Sequence, residues 1–131
     1  LEITPLSTHI YSYDEYRERY PDSLDSGEHA KDWKVIVYKL AFCNTTEKEL
    51  RFEADSFLAV AQNSGFHNGV SQENQKKNQT IQPGEVQEIE LSCTVTEILI
   101  GKKWFQKLEE ETYTLVYCWY PVQKELVFTN E

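Results

Sequence analysis

The chain has 131 residues, of which 40% are hydrophobic and 27% charged. That is one domain's worth of sequence, too apolar to stay disordered and long enough to bury roughly 65–70% of its unfolded surface without metal or disulfide support. Lys and Arg number 13 against 22 Asp and Glu, giving a net charge of −9. This charge excludes binding to duplex nucleic acid through neutralised phosphates and disfavours anionic membranes.

No apolar run approaches the ~20 residues of a transmembrane helix. The longest, from Val35 to Cys43, is interrupted at Lys39. The chain contains no Met and starts at Leu1 with no basic or apolar leader segment. An exported chain whose signal has been removed is the expectation, with an extracellular or cell-envelope location.

Residues 1–32 form an N-terminal unit of strand, short helix and loop. Ile3 to Ile10 reads as a strand. Tyr13 to Tyr20 reads as a short helix stopped before Pro21, with Tyr13, Tyr16 and Tyr20 on one face. Asp22 to Lys31 is a polar loop. Trp33 to Asn44 is the clearest strand, and its even positions Ile36, Tyr38, Leu40 and Phe42 form the bulkier face and point inward. Asn44 to Glu49 is a turn. Leu50 to Phe52 and Phe57 to Ala61 are short strands, and residues 62–79 are a long polar surface loop or a frayed hairpin.

Pro83-Gly84 marks a tight turn, proline presetting φ and glycine supplying a positive one. Ile89, Leu91, Cys93 and Val95 then alternate with polar residues, as in a half-buried strand. Ile98, Leu99, Trp104, Phe105 and Leu108 fit one short helix after Gly101. Tyr113 to Tyr120 is a strand with Tyr113, Leu115, Tyr117 and Trp119 on one face, and Glu125 to Thr129 is an edge strand after Pro121. The fold class expected is mainly β: a single immunoglobulin-like antiparallel β-sandwich over residues 1–131, with its body at 33–129 and one or two short helices.

Several motifs, in order, support this. The run from Trp33 to Asn44-Thr45-Thr46 resembles the strand leading into Asn-Thr in secreted bacterial immunoglobulin-like domains, which are similar in fold to the mycobacterial immunoprotective extracellular protein. Leu50-Arg51-Phe52, Pro83-Gly84-Glu85, Tyr113-Thr114-Leu115, Tyr120-Pro121 and Leu126-Val127-Phe128 follow in the order seen there. The resemblance implies a sandwich on an exported protein or lipoprotein of unknown function. It carries over no catalytic residue.

The chemistry-bearing residues are sparse. Cys43, Cys93 and Cys118 show no metal-ligand spacing. Cys43 and Cys118 have a separation suited to a disulfide, yet both fall on the less apolar parity of their strands. Three independent thiols are preferred, with a Cys43–Cys118 surface bond as the alternative. His9, His29 and His67 lie in three segments with no nucleophile motif. Asp22, Asp25 and Glu28, like Glu109 to Glu111, read as solvated acids rather than a calcium loop. Asn44-Thr45-Thr46 and Asn78-Gln79-Thr80 match the N-glycosylation pattern, and the first is read as turn chemistry. No cofactor or metal is expected.

Tyr11, Tyr13, Tyr16, Tyr20 and Trp33 are the candidate ligand or partner surface, since such side chains dominate interfaces and stack on sugars. The alternative is that the helix face caps the sandwich. A non-enzymatic interaction module with a protein or glycan partner is therefore expected. Its rivals are a carbohydrate-binding module and a hydrolase or hydrolase inhibitor, the last exposing an apolar loop near Phe66.

Overall fold

Side-chain alternation turns one side of each strand toward a shared dry interior. The computed structural model describes residues 2–20, 32–51, 57–72, 80–119 and 122–128, with side chains at all of these except 72, 118–119 and 122–125. Among them, β1 (Glu2–Ser12) runs antiparallel to β2 (Trp33–Cys43), pairing Ile3 with Phe42 and Ile10 with Ile36. The register slips between Pro5 and Ser7. Proline donates no ladder hydrogen bond, so an edge strand is the place that tolerates it.

Leu50–Arg51 (β3) forms a small separate ladder with Thr80–Ile81 (β7). β4 (Phe57–Ala61) and β5 (His67–Gly69) make a hairpin, and β6 (Ser71–Gln72) crosses to the first sheet to pair with β8 (Val86–Thr96). β9 (Tyr113–Trp119) and β10 (Val122–Phe128) form the final hairpin, with β10 at the sheet edge.

The first sheet has the order β1-β2-β8-β6 and the second β10-β9-β4-β5. In immunoglobulin lettering these are A-B-E-D and G-F-C-C′, so the strand order is that of an immunoglobulin-like sandwich. The expected strands at both ends of the chain are present, as is the polar turn before β3.

Ile36, Tyr38, Leu40 and Phe42 of β2 enter the core between the sheets, as their parity predicts. Ile89, Leu91, Cys93 and Val95 join them from β8, and Phe57, Ala59, Leu115 and Tyr117 from the second sheet. Antibody domains link strands B and F through a disulfide. Here the inner positions of those strands hold aromatic rings. Tyr38 of B meets Tyr113 of F edge-on at 6.3 Å, and Phe42 of B meets Phe57 of strand C at 6.2 Å. The Tyr113 hydroxyl donates to the Leu108 carbonyl at 2.7 Å. A tyrosine that opens strand F and bonds back to the chain just upstream is the tyrosine-corner arrangement of these folds.

Two expectations change. Residues 97–110 are not one helix but α2 (Glu97–Ile100), α3 (Lys102–Phe105) and a 3-10 turn at Leu108–Glu110. Gly101, at φ 90° and ψ 151°, breaks the helical path. A backbone angle of this sign suits glycine, and beyond it the helical spacing no longer carries. Phe105 and Leu108 turn into the core while Ile98 and Leu99 stay in water. Phe66 is the second change. The β4–β5 turn closes through Ala61 N–H to Phe66 O at 2.8 Å, and the Phe66 ring is buried in the core, so it offers no exposed apolar loop.

Candidate functional site

The tyrosine helix is built by local chemistry. Ser12 caps α1 (Tyr13–Arg19): its Oγ accepts from the Glu15 N–H at 3.2 Å, and Glu15 Oε1 accepts from the Ser12 N–H at 3.2 Å. This reciprocal box satisfies two donors at the helix start. Hydrogen bonding to the carboxylate from the Ser12 hydroxyl, and then from the Ser12 N–H, holds the Glu15 carboxyl below its ordinary value.

The helix lays its tyrosines on the outer face of the first sheet. Val35 and Val37, on the odd face of β2, are buried beneath Tyr16 and Tyr20, with Tyr11 packed alongside. Tyr16 and Tyr20 lie 5.1 Å apart, Tyr11 meets Tyr20 edge-on at 6.1 Å, and Tyr13 meets Trp33 edge-on at 6.1 Å. The Tyr20 hydroxyl donates to Glu90 on β8, and burial, reinforced by that carboxylate, pushes its pKa far up.

The structure thus brings together all five residues read as a contact surface, but it turns three of them inward. Tyr13, Tyr16 and Tyr20 are buried, while Tyr11 and Trp33 are half-buried. Tyr11, Tyr16 and Tyr20 make a second small core with Val35 and Val37 over the sheet, and Tyr13 and Trp33 form a separate pair.

The other chemistry-bearing residues are dispersed. His9 lies on β1 with its ring centre 4.2 Å from that of Tyr11 and tilted to it, and His67 is exposed on β5. Asp22, Asp25, Glu28, His29 and Asn78 fall outside the described residues. Among the described residues no group of His, Cys, Asp and Glu is placed to hold a metal ion.

Two buried polar side chains have structural work. Asn44 is fully buried. Its Nδ2 donates to the carbonyls of Lys48 at 2.7 Å and Ile81 at 2.8 Å, and its Oδ1 accepts from the N–H and hydroxyl of Thr46 at 2.9 and 2.6 Å. Its backbone bonds to Gly84 and Glu85 across the Pro83-Gly84 turn. No face of this amide is open for a glycan, and the reading of Asn44-Thr45-Thr46 as turn chemistry agrees with that geometry.

Glu111 is the second, and sequence reading took it for a solvated acid. It is buried, accepting from Asn63 N–H at 2.8 Å, Asn63 Nδ2 at 2.9 Å, Ser64 N–H at 2.8 Å and Thr112 N–H at 2.9 Å. Burial alone would raise its pKa, but the backbone donors of Asn63, Ser64 and Thr112 outweigh it and the carboxyl is held below its ordinary value. Apart from Thr112 its partners, Asn63 and Ser64, lie almost fifty residues upstream, so no local signal betrays it.

Cys43 and Cys93 are free thiols. Cys93 faces the core, and burial pushes its thiol up to about 12. Cys43 closes β2 in the first sheet, and Cys118 lies on β9 in the second, its side chain outside the described set. Thiol titration under denaturing, non-reducing conditions is expected to count three, whereas a count of one, with Cys93 as the thiol labelled, would establish the Cys43–Cys118 bond. In the native state at pH 8, alkylation should spare Cys93, because only the thiolate reacts.

The most exposed apolar side chains were not singled out by the sequence as a surface. Ile98 is 91% and Leu99 69% exposed, side by side on α2 at the end of the sandwich. Trp33 pairs with Thr96, the residue before α2, so its half-buried ring is at that same end. Trp104 is half-buried nearby on α3.

No curated protein matches the chain. The likeness to the mycobacterial extracellular protein therefore stays a resemblance of motifs. A family profile does match, over residues 1–124, and its description is a domain of unknown function (DUF5028). The chain belongs to that family, DUF5028.

Proposed function

We propose that the protein is a non-catalytic interaction module, exported and resident at the cell envelope, which meets its partner through the end of the sandwich that carries Ile98 and Leu99. The observation that carries this reading is the exposure of those two neighbouring side chains, 91% and 69%. A lone exposed apolar residue is ordinary, but an adjacent pair on an anchored helix has a cost in water and calls for a use. Glu111 is committed to holding a turn, which leaves that buried carboxylate no role in acid–base chemistry. The location follows the likeness of the strand motifs to secreted bacterial domains.

The purified chain, added to isolated bacterial envelopes, should sediment with them. Ile98→Ser with Leu99→Ser should leave thermal stability within about 0.5 kcal/mol, as for exposed positions generally, and should leave the protein in the supernatant. Equal sedimentation of the two proteins would refute this use of the surface.

A further inference from the structure

We propose that Asn68 is a self-modifying site, at which the Gly69 nitrogen attacks the Asn68 side-chain amide and the product frees β5 from β8. The described residues include the asparagines Asn44, Asn63 and Asn68, and the fold treats each differently. Asn44 is fully buried with its amide bonded on every side. Asn63 precedes Ser64, whose N–H donates to Glu111 Oε2 at 2.8 Å, while the Asn63 amide donates to Glu111 Oε1 at 2.9 Å. Both groups that would react there are held by a carboxylate. Asn68 is exposed, and the Gly69 N–H donates at 2.9 Å to the Oδ1 of Asn68 itself. The nitrogen and the side-chain carbonyl that must meet are already neighbours, and such proximity lowers the barrier to an intramolecular step.

The strand pairing explains why this N–H is available. β5 is the edge strand of the second sheet, with β4 on one side. The Ala61 N–H bonds to the Phe66 carbonyl, and the register runs Val60 with His67, Ala59 with Asn68 and Leu58 with Gly69. Bonded and non-bonded pairs alternate in an antiparallel ladder. Asn68 is therefore bonded to β4, and the Gly69 N–H points away from it. Gly69 does not have a positive φ, and a Cβ there would meet nothing within 4 Å. Neither backbone nor packing calls for glycine at this place, and glycine in a strand costs chain entropy. What the missing Cβ does is leave the nitrogen open to the side chain before it.

The reaction uses water alone. The Gly69 nitrogen gives its proton to solvent base and bonds to Asn68 Cγ, the Cγ–Nδ2 bond breaks, and Nδ2 leaves as ammonia. Water then opens the cyclic imide at either carbonyl. The product at position 68 is an aspartate, or an isoaspartate with the chain routed through its side chain. Either adds one negative charge. Asn68 Nδ2 donates to the Thr94 carbonyl at 3.2 Å, which ties β5 to β8 across the two sheets. Both products lose that donor and set a carboxylate against a carbonyl oxygen. The isoaspartate also lengthens the backbone just before Val70, which is buried in the core.

Incubation of the purified chain at pH 8, followed by peptide mapping in a mass spectrometer, measures amide-to-acid conversion at each asparagine. Conversion at Asn68 is expected to exceed that at Asn63 by at least about tenfold, the rate factor for first breaking a hydrogen bond to a charged acceptor. In urea the Asn63 rate should rise, whereas the Asn68 rate should change by less than about tenfold. Gly69→Ala should slow Asn68 at least about tenfold by crowding the nitrogen, with circular dichroism and melting unchanged. Aged wild-type protein should exchange its β5 amide hydrogens faster than fresh protein. Asn68 outlasting Asn63, a rate indifferent to Gly69→Ala, or a rate in urea more than about tenfold above that of the folded chain would overturn the site. Equal exchange in aged and fresh protein would overturn the release of β5.

Discussion

Asn44→Ala is expected to destabilise the protein by about 2–4 kcal/mol. The substitution removes four side-chain hydrogen bonds at a fully buried position. Net hydrogen bonds contribute roughly 0.5–1.5 kcal/mol each, and a buried group left without a partner costs about 1–3 kcal/mol. The bond to the Ile81 carbonyl is buried, whereas those to Lys48 and Thr46 are partly open. The Ile81 carbonyl therefore stays dry and unpaired in the variant, and the others recover water. Asn44→Asp should do no better, since it deletes both donors and places a charge in the same spot. Thr46→Val should cost under about 1 kcal/mol, because its hydroxyl bonds lie nearer solvent. Urea denaturation at pH 7 measures all three. A loss below about 0.5 kcal/mol for Asn44→Ala would show that the two turns hold without the amide.

Glu111→Gln is the second large expected effect, at about 2–3 kcal/mol at pH 7, since hydrogen bonds to a charged acceptor contribute more than neutral ones. Glutamine also replaces an accepting oxygen by an amine that would face the N–H groups now bonded to it. The loss depends on pH. Because the folded-state pKa lies below that of the unfolded chain, the carboxylate contributes its full stabilisation above its ordinary value of 4.5 and loses it as pH falls through the depressed folded-state value. Urea midpoints at pH 7, 5, 4 and 3 should thus show the wild type and Glu111→Gln converging on acidification. A gap that stays constant down to pH 3 would mean that the charge is not what those donors hold.

These two residues act at opposite ends of the sandwich. Asn44 follows the last residue of β2, and Glu111 precedes β9 at the end where α2 and Trp33 also lie. The eleven-residue β2 spans roughly 33 Å at about 3.3 Å per residue. Two sites that far apart with no shared partner should have additive effects.

What the sequence disclosed follows from how its residues meet water. β8 was legible because one of its faces is wet, so Ile89, Leu91, Cys93 and Val95 stand out from their polar neighbours. β2 was legible by length and apolarity, but the burial of its second face was not, since the cover arrives from a helix whose docking leaves no mark on β2 itself. The tyrosine face of α1 was visible as a stripe, and the sheet beneath it was not. Asn44 announced a turn. Glu111 announced nothing, since its partners come from the β4–β5 turn. Ile98 and Leu99 were read as helix-face residues because apolar residues are usually inside, and Gly101 alone decides otherwise.

The cover over Val35 and Val37 makes three layers of what composition presents as two. The segment from Glu2 to Tyr20 is thus a fitted part of the molecule and not an attachment to it. Any shortened version beginning at Trp33 would uncover a valine stripe and, by deleting β1, turn β2 into a bare rim that invites strand pairing between molecules.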